Sequence, residues 1–330
     1  MHTPVFRTRI TELFGIRHPI LCGGLQWLAD ARYVAAVVNA GGMGFITAMS
    51  FPDDPDGFRV ALRQCRDLTD GRDFGVSLAI SRRLGANERL VPYIDAAIEE
   101  RVKFIETSGD SPERFLSRLK DAGCIVIHKV PAVRYAVSAQ KLPVDAITVL
   151  GAEAGGHPGT RLVPQIIQAP LAADAVTKPL ALGGGMSTGR HLVTALAMGA
   201  DAILLGSRMV VAEEVWAHRR YKQRIVELDE TGHRLQMRVF NHHHRVLDNE
   251  TSRAVAALED AGVGDFARYQ PHVRGDLARR AYESGEWERG MLDMGPSAVF
   301  AREAKPVAAI FDEILDEAAR ARERVQALSV

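Results

Sequence analysis

Between Pro19 and Ser207 the chain repeats one pattern. A short run rich in Val, Ile and Leu ends in glycine or a polar residue, and an amphipathic stretch follows. The short runs predict eight strands: Pro19–Gly24, Gly42–Met49, Asp73–Ile80, Phe104–Gly109, Cys124–Val130, Ala146–Gly151, Pro179–Gly185 and Ala202–Ser207. The stretches between them predict helices at Ala31–Ala40, Asp56–Leu68, Leu90–Val102, Pro112–Ala122, Val133–Gln140, Leu162–Val176 and Gly189–Met198. Strands that alternate with helices make a parallel sheet, because parallel neighbours need a crossover. Eight such units predict an α/β fold, a closed (β/α)8 TIM barrel. A doubly wound open sheet is the structural rival, but does not require eight strands.

Local signals support the helices. Ser111-Pro112 reads as an N-cap followed by proline at the first helical position, and Ala122-Gly123 and Met198-Gly199 read as C-terminal stops. After Ser207 the rhythm changes. Residues 208–330 are rich in Ala, Glu and Arg and read as helical, most clearly at Ala254–Ala261 and Ile310–Leu328. The expected division is a barrel of residues 1–212 plus about 298–330, with about 213–297 as a helical cap.

Composition narrows the function classes. With 47% hydrophobic and 25% charged residues, the chain is an ordinary globular one, which excludes disorder. Forty-one basic residues balance 41 acidic ones, so no basic footprint suggests nucleic acid or a membrane surface. Cys22, Cys65 and Cys124 are odd in number and widely spaced, which favours a reducing compartment over a disulfide framework. The stretch MHTPVFRTRITELFG lacks a signal peptide's apolar core, so a cytoplasmic location is expected.

In such barrels chemistry sits in the loops after the strands. Gly183, Gly184 and Gly185 precede Ser187-Thr188 and a helix, and Gly206-Ser207 follow the last strand. These loops suit phosphate, through backbone N–H groups and a helix N-terminus. A tight turn is the plain alternative. Thr188 stands where a dinucleotide fingerprint needs glycine. On strand 5, alternation groups Lys129 with Ile125 and Ile127, predicting an ammonium alone in an apolar barrel mouth, or one snorkelling to water. His128 then faces the helices as a core histidine. His157, between Gly155-Gly156 and Pro158-Gly159, is a candidate general base or donor. Glu153 reads first as a structural group. No metal site is expected: His242, His243 and His244 are consecutive, and three neighbours on a helix cannot easily converge on one ion. Neither Ser187 nor Ser207 sits in a nucleophile elbow.

These residues together resemble the nitronate monooxygenase family of flavin-dependent barrels. The resemblance is carried by His18-Pro19-Ile20, Gly23-Gly24-Leu25-Gln26, His128-Lys129, the Glu153–Gly159 loop, Gly184-Gly185, Gly206-Ser207-Arg208 and Gly290-Met291. Departures from the family pattern are Cys22, Ser77, Gly183 and Met209. The resemblance implies FMN, lined by Gly23, Gly24, Leu25, Gln26 and Ser77, with Lys129 beside the ring. It implies Gly155 and Gly156 near the flavin, the phosphate in the Gly183–Gly185 and Gly206-Ser207 loops, and His157 as the active-site histidine. Nitronate oxidation with O2 is the favoured activity. NAD(P)H:quinone reduction and enoyl-thioester reduction are the alternatives, so the expected partners are a nitronate or quinone, O2 and NAD(P)H. A homodimer is compatible with this reading. A flavin-free phosphosugar isomerase or lyase, or a phosphate-ligand binder, is the rival from another class.

Overall fold

Eight parallel strands pair in chain order and close on themselves: β1 Ile20–Cys22, β2 Met43–Thr47, β3 Gly75–Ile80, β4 Phe104–Gly109, β5 Ile125–Val130, β6 Ala146–Leu150, β7 Leu180–Gly183 and β8 Ala202–Leu205. Closure is made by β1 against β8, with Ile20 opposite Ile203 and Cys22 opposite Leu205. The computed structural model describes residues 6–81 and 85–328. Residues 1–5, part of the N-terminal stretch read for a signal peptide, and residues 329–330, assigned to the barrel, lie outside them.

Helices α1 Arg9–Phe14, α2 Ala31–Asn39, α3 Pro55–Leu68, α4 Val91–Glu99, α5 Glu113–Asp121, α6 Val133–Ala139, α7 Gln165–Ala175 and α8 Gly189–Ala197 alternate with the strands. Their starts follow from short polar side chains. Asp30 accepts from the Tyr33 amide, and Asp54 accepts from the Gly57 amide with Pro55 at the first position. The start expected at Pro112 is displaced. Pro112 itself occupies the N-cap of α5, and the Ser111 hydroxyl accepts only a long 3.4 Å bond from Glu113 N. The expected stops hold, with Gly123 and Gly199 at φ +77° and +93° just past α5 and α8.

The sequence reading gave no element before β1. Helix α1 instead closes one end of the barrel. Its Ile10 and Phe14 are buried with Leu21, Phe45, Phe104 and Ile127 from the strands, and the Phe14 and Phe104 rings stack at 4.8 Å. Burying one such ring contributes about 1.5–3 kcal/mol.

The region after β8 carries α9 Arg219–Val226, α10 Glu250–Asp260, α11 Phe266–Val273, α12 Gly275–Ser284 and α13 Val307–Ala327. It is not all helical, which corrects the sequence reading. Strands β9 His233–Gln236 and β10 His244–Leu247 form an antiparallel hairpin, with His244 opposite Gln236. Their segments lack a β-branched alternation, and partners elsewhere in the fold extend the pairing. Gly156 bridges to Arg245, and Val246 bridges to Asp293. Helix α13 packs on α8 and α2. A side chain at Gly189 would meet Ile314 O at 2.1 Å, so glycine lets the two helices approach.

Candidate active site

A cavity of about 1050 Å³ opens at the C-terminal ends of the strands. Gly23, Gly24, Leu25, Gln26, Ser77, Lys129, Gly155, Gly156, His157, Gly184, Gly185, Gly206 and Ser207 all line it. Gly183 does not. It ends β7 with its Cα facing Leu150 and Leu204, where an added Cβ would come within 2.7 Å of Leu150.

Two loops make the cradle. Gly184 and Gly185 take φ +82° and +77°, and the Gly206 Cα faces open space, with no atom within 4 Å of a Cβ built there. Within the described residues, the amides of Gly184, Gly185, Gly206 and Ser207 donate no backbone hydrogen bond outside regular elements. They are candidate donors to an anion. The N-terminus of α8 is not, contrary to expectation. Thr188 Oγ1 accepts from His191 N, and Gly189 N donates to Glu317 Oε2 at 2.9 Å, so the fold itself satisfies these groups. Ser187 Oγ donates to Ser297 O at 3.0 Å, while Ser207 Oγ accepts from Gly295 N at 2.9 Å.

The floor holds a charge pair. Lys129 points into the barrel, as alternation predicts, but it is not alone. Its Nζ lies 3.0 Å from Glu106 Oε2, whose side chain is 1% exposed. The same oxygen accepts from Ser77 Oγ at 2.7 Å and Gly24 N at 3.3 Å, while Oε1 is buried with no partner. Sequence reasoning left Glu106 out of the site. Its signal was a carboxylate at an inward position of the strand, between Phe104 and Ser108. His128 takes the opposite face, with Nδ1 2.9 Å from Thr107 Oγ1. Burial first, with Lys129 adding, lowers its pKa to about 4. Glu153 is structural: both its oxygens accept from Gln165 N at the start of α7.

His157 faces the cavity. Its ring stacks on His244 with centroids 4.5 Å apart, and lies 4.6 Å from the His242 ring. Packing of its inner face against neighbouring rings comes first, the neighbouring His244 and His242 act in the same direction, and Asp293 opposes them. Together these lower its pKa to about 3. His157 is nonetheless exposed on its cavity side, and the shift favours its neutral form near pH 7. His242 and His243 line the cavity, whereas His244 bonds Asp293 at 2.5 Å. Asp293 was missed, since nothing in its local sequence marks it. No group of His, Cys, Asp or Glu among the described residues could hold a metal ion. All three cysteines are buried and unpaired.

A model of the nitronate monooxygenase family matches residues 7–317. The chain belongs to that family. It is therefore an oxidoreductase acting on a small molecule, in a family whose members are typically flavin-dependent. A Mycobacterium tuberculosis protein, (3aS,4S,5R,7aS)-5-hydroxy-7a-methyl-1-oxo-octahydro-1H-indene-4-carboxyl-CoA dehydrogenase, is 32% identical over 87% of this chain and 82% of its own. A probable nitronate monooxygenase of Staphylococcus aureus is 27% identical over 68% of this chain and 74% of its own. Among solved structures, FabK from Thermotoga maritima superposes with a TM-score of 0.89 at 30% identity, covering 98% of this chain and 99% of that one. No described helix is long and apolar enough to cross a membrane.

Proposed function

We propose that this chain is an FMN-dependent oxidoreductase acting on a bulky acyl thioester. The observation that carries the reading is the extent of the cavity. At about 1050 Å³ it runs from the Gly184–Ser207 cradle to Arg134, Tyr135 and Arg161 on one side and Phe240 and Phe266 on the other. That stands at the top of the usual range for a ligand pocket, about 300–1,000 Å³, and leaves room for a cofactor together with part of a substrate. Likeness to the mycobacterial CoA-thioester dehydrogenase agrees.

The residues fit a flavin mononucleotide. Gly184, Gly185, Gly206 and Ser207 offer amides to a single phosphate, and the open face of Gly206 leaves room for it. Gly23–Gln26 and Lys129 would line the ring. The bound flavin supplies a two-electron carrier. The chain does the rest. A neutral His157 ring has one N–H donor and one lone pair, so it can hold a carbonyl oxygen or take an adjacent proton. Arg134 and Arg161 put cations at the rim, where a CoA moiety carries phosphates. The family match favours a second reading, nitronate oxidation with O2, in which His157 donates to a nitro oxygen.

One experiment separates these. Denature the purified protein and identify the released chromophore; then mix the native protein anaerobically with saturated acyl-CoA, a nitronate, NADH and NADPH in turn. FMN should be released, and acyl-CoA should bleach the flavin, or enoyl-CoA should reoxidise NAD(P)H-reduced protein. Bleaching by nitronate without any response to acyl or enoyl thioesters selects the second reading. Reoxidation by quinone alone selects a quinone reductase. Colourless protein that FMN cannot reconstitute overturns all three.

A further inference from the structure

Three separate segments meet behind His157. Gly156 N donates to Arg245 O at 2.9 Å, and Arg245 N returns a bond to Gly156 O at 2.6 Å. On that same edge of β10, the one away from β9, Val246 bridges to Asp293, with Met294 N donating to Arg245 O and Leu247 N to Leu292 O. The histidine loop, the hairpin and the segment after α12 are thus laced together through the backbone. That lacing sets His244 face to face with His157, 13° from parallel, and puts Asp293 Oδ1 on His244 Nε2.

We propose that His244, anchored by Asp293, is a positioning residue for His157: it fixes the plane of the ring and, when protonated against the Asp293 carboxylate, sets a positive charge at its face. This rests on the reading of His157 as the working imidazole. Two near-parallel rings do not aim their in-plane N–H bonds at one another, so the pair passes no proton directly. Its action is steric and electrostatic. A charge held against one face opposes a second charge on His157. The ring then stays a neutral donor and acceptor in acidic as well as neutral solution. The titratable groups facing it are His242 of the hairpin turn, His244 of β10 and Asp293 beyond α12, the last acting in the opposite sense.

The test follows the His157 ring by long-range proton–nitrogen NMR of the full-length protein as purified, from pH 8 to pH 4. His244→Gln removes ring and charge, His244→Tyr keeps a ring without the charge, and His244→Lys keeps a charge without the ring. In wild type His157 should remain neutral down to the acid end. In His244→Gln and His244→Tyr its protonation should begin at least about one pH unit higher. His244→Lys should restore the wild-type titration. If every variant tracks wild type, or all three shift alike, the charge of His244 does not act on His157 and the proposal fails. Should Gln fail to fold, Tyr carries the same comparison against Lys. The readout needs no substrate, so a wrong substrate class leaves it standing, while colourless protein would refute the cofactor reading separately.

Discussion

Lys129 and Glu106 show how one contact changes a residue's meaning. Alternation along β5 sufficed to turn Lys129 inward, but its partner lies on the neighbouring strand and becomes visible only once the barrel is closed. Read alone, the lysine is a cation awaiting a negative cofactor. Paired at 3.0 Å, its charge is largely balanced. Lys129→Met should lower the flavin reduction potential, and Glu106→Gln should raise it, each on the order of 30 mV, a tenfold change for two electrons. Redox titration of both variants checks the signs. Lys129→Met also strands a buried carboxylate, so it should destabilise the fold by about 3 kcal/mol, and adding Glu106→Gln should recover most of that loss. Chemical unfolding of the four proteins measures it. His157→Asn should keep FMN and lower turnover by about 10²–10⁴-fold. Retained turnover would remove His157 from the mechanism.

Elements divide by where their stabilising partners lie. All eight barrel strands were legible, because each is a short apolar run whose neighbour follows one helix later in the chain. The strands end earlier than the apolar pattern predicts at β1, β7 and β8, where the loop residues belong to the site, and at β2, where Ala48–Ser50 turn as a 3-10 helix. The β9–β10 hairpin was not legible. Residues 233–247 carry arginine and histidine where a strand pattern needs branched apolar residues, and the pairing is completed by Gly156 and Asp293. The hairpin brings Phe240 to the cavity, packed edge-on against Phe266 and Tyr269. Phe240→Ala should leave FMN bound and raise KM for a bulky substrate about tenfold, while a small nitronate should feel little change. Equal effects on both would mean that Phe240 supports the fold alone.

At the scale of the whole molecule, buried histidines tie stability to acid. Burial, with Arg17 adding and Asp312 opposing, lowers the pKa of His18 to about 4, and that of His128 is lowered equally far. In the unfolded chain both protonate near pH 6.5. Between these values the unfolded state binds more protons, so stability present above pH 6.5 is lost as pH falls toward 4. The loss is about 3 kcal/mol for each. Urea unfolding at pH 7.5, 5.5 and 4.5 should show it, and His128→Gln should flatten the decline. A constant unfolding free energy across that range would contradict both assignments.

The lacing of Gly156, β10 and Asp293 bears on how such enzymes diverge. A hairpin transplanted from a relative would arrive without the carboxylate and loop edge that it pairs with. Residues 155–157, 233–247 and 290–295 form one heritable module scattered over three stretches of gene. Chimeras that exchange all three should carry substrate preference with them, whereas a swap of the hairpin alone leaves a recipient histidine facing a stranger's strand.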